Sequence, residues 1–184
     1  MARTSTLRAQ HDHAERLFDE LFERIDRFDA AAEGADAYSL SLCLAKIAGV
    51  LRTHFAIEDQ VLYPMLIASE HREMAVVARV FEREISSLAD QFERFLQRWG
   101  RSAEIAGAIP QFRYECDMLF AALRDRIARE NRELYPLADR EYAEILERAA
   151  GAIPLRPNEP IQGQVPLRAS RPFEGFVLRD STAA

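Results

Sequence analysis

The chain has 184 residues and little of several features that settle a protein's class at once. Its two cysteines, Cys43 and Cys116, are too few for a disulfide scaffold and fit a reducing compartment. Its seven glycines stand mostly at joints. No run of consecutive apolar residues approaches the roughly eighteen that a membrane span needs. The N-terminal stretch MARTSTLRAQHDH lacks the apolar core of a secretory signal. Basic residues are outnumbered: 24 Lys and Arg against 30 Asp and Glu give a net charge of −6, so no positive field attracts phosphates. The sequence contains no nucleophile elbow, glycine-rich phosphate loop, Cys-x-x-Cys pair or H-E-x-x-H motif, and so gives no support to an enzyme. These absences predict a cytoplasmic protein, not an enzyme, with no nucleic-acid or membrane partner. The length suits one domain with a tail. Histidine is also scarce: His11, His13, His54 and His71 are the full set.

The apolar residues recur at three- and four-residue spacing, the signature of amphipathic helices. Leu7, Ala14, Leu17, Phe18, Leu21, Phe22, Ile25 and Phe28 mark the first, which a soft break around Gly34 ends. Leu40, Cys43, Leu44, Ile47, Val50, Leu51, Val61, Leu62 and Met65 mark the second. The third carries Val76, Val77, Val80, Phe81, Ile85, Leu88, Phe92, Phe95, Leu96 and Trp99, with Gly100 as its stop. The fourth carries Phe112, Cys116, Leu119, Phe120, Leu123, Ile127 and Leu134, with Pro110 near its start. The pattern predicts an all-α protein: an antiparallel up-down-up-down four-helix bundle over residues 1–150, with a short fifth helix at Asp139–Ala149. Pro154, Pro157, Pro160, Pro166 and Pro172 then predict an extended or disordered tail over 151–184. The apolar end of that tail, Phe173, Phe176, Val177 and Leu178, could meet the bundle or a regulatory protein partner. An apolar face left outside the bundle would mark a homodimer interface.

A weak internal repeat runs through the helices at an offset of 72 residues. LRTHFAIEDQVLYP (Leu51–Pro64) aligns with LRDRIARENRELYP (Leu123–Pro136), and the two copies share E-x-x-x-L-Y-P. In a bundle of this topology Glu58 and Glu130 would therefore sit at one depth, pointing inward. Polar residues also interrupt the apolar stripes. His54 and Glu58 are i, i+4 neighbours within the second stripe, Glu130 lies within the fourth, and His11 lies on the apolar side of the first. Buried carboxylates at one level need a metal, a basic side chain or a shared proton. The repeat pairs His54 with Arg126, whose guanidinium cannot ligate a metal but can hold carboxylates. Tyr63 and Tyr135 precede prolines that should kink or end their helices, and are expected to close the base of the bundle, with a hydrogen bond to a site carboxylate as the alternative. Cys43 and Cys116 are expected as small core residues.

These residues resemble the hemerythrin-like, or HHE cation-binding, family. The family pattern is a histidine on helix one, H-x-x-x-E on helix two, a histidine on helix three and H-x-x-x-E on helix four. LRAQHDHAERLFDEL supplies His11, THFAIEDQVLYP supplies His54 and Glu58, and RIARENRELYP supplies Glu130. The resemblance spans about Leu7 to Leu137 and implies a four-helix bundle with a non-haem di-iron site, in proteins that carry oxygen or sense iron or oxygen. The chain departs from the pattern twice. Aligning EREISSLADQF puts Glu82 at the third-helix histidine, whereas helical phase favours Glu84 as the inward residue. The fourth-helix histidine is Arg126. With four histidines, of which His71 falls near a turn and His13 on a flank, the family's five-histidine oxygen carrier cannot be assembled.

Two readings follow. In one, His11, His54, Glu58 and Glu130, with Glu82, bind iron, manganese or zinc, and the protein binds or senses iron, oxygen or redox state. Arg126 then orders a carboxylate. In the other, Arg126 replaces the metal's charge and the bundle is a metal-free interaction or regulatory module. A fixed charge about 6 Å from a divalent cation costs on the order of 5 kcal/mol at an effective dielectric of about 20, before carboxylates offset it.

Overall fold

Heptad spacing sets the helices. Leu7, His11, Ala14, Phe18, Leu21 and Ile25 are all buried and alternate steps of four and three. The same steps link Met74, Ala78, Phe81, Ile85, Leu88, Phe92, Phe95 and Trp99. Such a stripe keeps one face of a helix against its neighbours.

A computed structural model of the chain describes residues 4–30 and 37–152. The soft break around Gly34 and the tail with its five prolines lie outside the described residues. Helix α1 spans Ser5–Ala30, α2 Ala37–Ile57, α3 Tyr63–Ile67, α4 Arg72–Trp99, α5 Ser102–Gly107, α6 Ile109–Arg129 and α7 Tyr135–Ala152. A π-helical turn, Glu58–Leu62, joins α2 to α3, and a second, Glu130–Leu134, joins α6 to α7. The described residues are thus helical in five continuous runs, with no strand. Helix α1 packs against α2 and α6, and α4 packs against the same two.

Several expectations need correction. The short fifth helix is not separate: α7 continues α6 through the second π turn and runs to Ala152. Neither Pro64 nor Pro136 ends its helix. Val76 and Val80 are exposed, because the buried stripe of α4 begins at Met74 and Ala78. Val61 is exposed too. A π turn takes one extra residue, so the buried positions after Glu58 shift to Leu62, Tyr63 and Leu66. Residues Ala37–Ile67 make one described helix long and apolar enough to cross a membrane, which a count of consecutive apolar residues misses. Its apolar side, Leu40, Cys43, Leu44, Ile47 and Leu51, is buried against the rest of the protein, as in a core helix.

Both cysteines are free and buried. The Cys43 thiol donates to the Leu17 carbonyl at 3.6 Å, and burial pushes its pKa up to about 11. Gly100 caps α4 where a Cβ would lie 2.7 Å from the Leu96 carbonyl oxygen. Backbone must move to admit it, so Gly100→Ala is expected to lower stability by about 1–3 kcal/mol in urea unfolding. An unchanged midpoint would show that the chain yields there freely.

Candidate metal centre

The two π turns build the site. In each, the tyrosine N–H bonds back five residues, Tyr63 to the Glu58 carbonyl and Tyr135 to the Glu130 carbonyl. The following residue is proline, which has no N–H and would crowd the carbonyl four residues back in a regular helix. The shared E-x-x-x-L-Y-P is therefore the sequence of a π turn, a feature frequent at functional sites. It opens at the glutamate and rotates the tyrosine into the core, so Tyr63 and Tyr135 are fully buried.

His11, His54, Glu58, Arg126 and Glu130 are all buried. Upstream of the π turns the heptad continues through Ile47, Leu51, His54 and Glu58 in one copy and through Leu119, Leu123, Arg126 and Glu130 in the other. The polar residues thus occupy successive core positions. His11 Nε2 lies 3.0 Å from His54 Nε2 and 3.1 Å from Glu130 Oε2. These three residues bring one ligand atom each within 4.8 Å of one another.

Glu58 stands beside this trio. Its Oε2 is 3.6 Å from His54 Nε2, and its two oxygens accept from Tyr135 at 2.9 Å and Tyr63 at 3.4 Å. Glu82, expected as a ligand, does not join the cluster. From Phe81 in the stripe of α4, Glu82 turns to one flank and Glu84 to the other. Glu84, itself exposed, is the α4 carboxylate that meets the buried Arg126, accepting from it at 3.1 Å and from Arg129 at 2.8 Å. His71 is also elsewhere, paired with Glu144 at 2.8 Å, and His13 is exposed.

The donor set fits a cation, and the hydrogen bonds show why. Arg8 donates to the Asn131 side-chain oxygen at 3.3 Å, and His11 Nδ1 lies 3.2 Å from that oxygen. A guanidinium only donates, so the oxygen of Asn131 faces both, and His11 Nδ1 must carry hydrogen. His54 Nδ1 likewise lies 3.0 Å from Gln10 Oε1. With both Nδ1 atoms donating, the two rings turn their Nε2 atoms, the ones left to ligate or to share a proton, toward each other and toward a carboxylate oxygen. Nitrogens so placed call for a metal ion or a proton between them, and the carboxamides fix the rings in the ligating orientation. Tyr135 stacks on His11, with ring centroids 5.3 Å apart.

Arg126 fills the other side. Its Nε donates to Glu130, and its Nη2 donates to the Tyr63 hydroxyl at 2.7 Å and the Phe81 carbonyl at 3.0 Å. Its Cζ lies 4.4 Å from the centre of the Phe81 ring. Burial opposes its charge, but Glu130 and Tyr63 outweigh burial and raise its pKa. Burial also acts to raise Glu130, yet its hydrogen bond with His11 and the charge on Arg126 hold its carboxyl below the usual range. Glu58 is different: burial, then the neighbouring Glu130, push its carboxyl well above the usual range. Burial and the nearby His11 push His54 down to about 4. The surroundings therefore favour the ionised form of Glu130, the protonated form of Glu58 and the neutral form of His54.

Sequence reasoning favoured Tyr63 and Tyr135 as closing the base of the bundle, with a hydrogen bond to a site carboxylate as the alternative, and both hydroxyls do donate to Glu58; it missed Gln10 and Asn131. The tyrosines carried a signal, their identity in both copies of the repeat. The carboxamides adjoin His11 and Glu130 in sequence but carry no pattern of their own.

A fold made of long helices with imidazoles and carboxylates gathered inside defines a helical protein with an interior cation-type site. Residues 2–138 match the family model of the hemerythrin HHE cation-binding domain, and the chain belongs to that family. No curated protein and no solved structure matches the chain.

Proposed function

We propose that this protein binds a metal ion through His11, His54 and Glu130, and that it binds or senses iron, oxygen or redox state. The carrying observation is the convergence of three buried ligand atoms whose ring orientations are fixed from behind by Asn131 and Gln10. Two imidazoles and a carboxylate suit iron, manganese or zinc. The metal would supply Lewis acidity and, if iron or manganese, redox chemistry. The residues around it supply orientation and exclude water. Glu58 and Tyr135 line the site beside His11 and His54, so Glu58 belongs to its wall in this reading. The pairwise contacts of α1, α2, α4 and α6 support an antiparallel up-down-up-down four-helix bundle as the scaffold. The role is binding or sensing and not catalysis, and the buried free cysteines suit a cytoplasmic setting.

A second reading draws on the buried pair of Arg126 and Glu130. With Arg126 as the resident charge and a proton between the imidazoles, the domain would be a metal-free module that binds a protein partner or a second copy of itself. Metal content by mass spectrometry separates the two. Untagged protein from cells supplied with iron, manganese and zinc is expected to carry near-stoichiometric metal, and His54→Ala to carry none. Folded wild-type protein without metal under every supply would leave the module reading.

A further inference from the structure

The repeat makes two half-sites, and they are filled differently. In the first copy His54 precedes Glu58 by four residues; in the second Arg126 precedes Glu130 by four. Each glutamate opens a π turn, and each turn ends on a buried tyrosine. The first half is completed from α1 by His11, 3.0 Å from His54. The second is completed from α4, which brings the Glu84 carboxylate, the Phe81 carbonyl and the Phe81 ring. Two clusters able to hold positive charge thus share Glu130, one oxygen facing each, and a guanidinium stands in one of them.

That guanidinium is held on every side. Nε meets Glu130, Nη1 meets Glu84 at 3.1 Å, and Nη2 meets Tyr63 at 2.7 Å and the Phe81 carbonyl at 3.0 Å. It cannot leave by losing a proton at any ordinary pH. It also takes one oxygen of Glu130, leaving Oε2 to face His11 at 3.1 Å.

We infer that Arg126 is a built-in cation that limits this centre to one metal ion per chain, filling the second half-site and positioning Glu130 to ligate through a single oxygen. This rests on the metal-binding reading above, because a single-ion limit has meaning only where an ion binds. Arg126 is a positioning residue: it touches the ligand, not the ion.

Stoichiometry tests it. The full chain is stripped with chelator, reloaded with Co(II) or with Mn(II), and the bound ion counted by equilibrium dialysis. Wild type is expected to hold one ion and Arg126→Lys, which keeps the charge, also one. Arg126→His is expected to hold two, its imidazole joining Glu58, Glu84 and Glu130 around the second. With Mn(II), paramagnetic resonance should give an isolated-ion spectrum for wild type and an exchange-coupled one for Arg126→His, a change that a purely structural role would not produce. Two ions in wild type would overturn the inference and leave the metal-binding reading standing. No ion in wild type would overturn both. A folded Arg126→His that still takes one ion would show that something other than the guanidinium excludes the second. If that variant does not fold, the wild-type count decides alone.

Discussion

Glu130→Ala is expected to empty the site of metal and to destabilise the metal-free fold by about 3–5 kcal/mol, the usual penalty for stripping one partner from a buried ion pair. Arg126 would stay charged and buried. Its remaining carboxylate, Glu84, is well exposed and shared with Arg129, so it compensates poorly. Urea unfolding with chelator present isolates the stability loss from the loss of metal. Glu130→Gln should recover part of it, because an amide still accepts from the guanidinium at unchanged volume. A loss below about 1 kcal/mol for the alanine variant would mean that Arg126 escapes to water and that the buried pair does not hold the interior together.

The second large effect is acid sensitivity of the metal-free protein. His54 titrates near 6.5 in the unfolded chain and is held down to about 4 when folded. Between those values the unfolded state binds more protons, so stability falls as pH falls through this window. The full contribution is present above about 6.5 and amounts to roughly 3 kcal/mol, lost by the time the pH reaches about 4. Glu58 has the opposite sign, since its raised pKa keeps a proton in the folded state and its contribution is lost as pH rises above the usual carboxyl range. Glu130, lowered, adds stability that disappears only at still lower pH. The difference between wild type and His54→Gln therefore isolates the imidazole. The advantage of wild type should shrink by roughly 3 kcal/mol between pH 7 and pH 4. A difference that stays constant would show that His54 keeps its proton on folding, as an imidazolium held by a carboxylate.

Much of this centre was legible because helical periodicity makes a polar residue in an apolar stripe conspicuous. His11, His54, Glu58, Glu130 and Arg126 each stand at core steps of their heptads, and all five are buried. The π turns were not legible as such. Periodicity assumes a constant residue angle, and one inserted residue moved Val61 out and Tyr63 in, although the doubled E-x-x-x-L-Y-P marked the place. Helix α5 is six residues long, too short to leave a periodic signature. Gln10 and Asn131 look like ordinary surface carboxamides until the histidines they orient are placed in space. Glu82 and Glu84 flank the same stripe on opposite sides, so alignment and helical phase could disagree about them. The side that α6 occupies, with Arg126 and Arg129, decided for Glu84.

The hydrogen bonds between the two copies of the repeat are crossed. Tyr135, from the second copy, holds Glu58 of the first, while Tyr63, from the first, receives Arg126 of the second. Bonds within each copy, Tyr63 to Glu58 and Arg126 to Glu130, complete the set. If either long helix frays at its π turn, Glu58 or Arg126 in the other loses one of its buried partners. The two halves are thus thermodynamically coupled: a substitution in one is felt in the other.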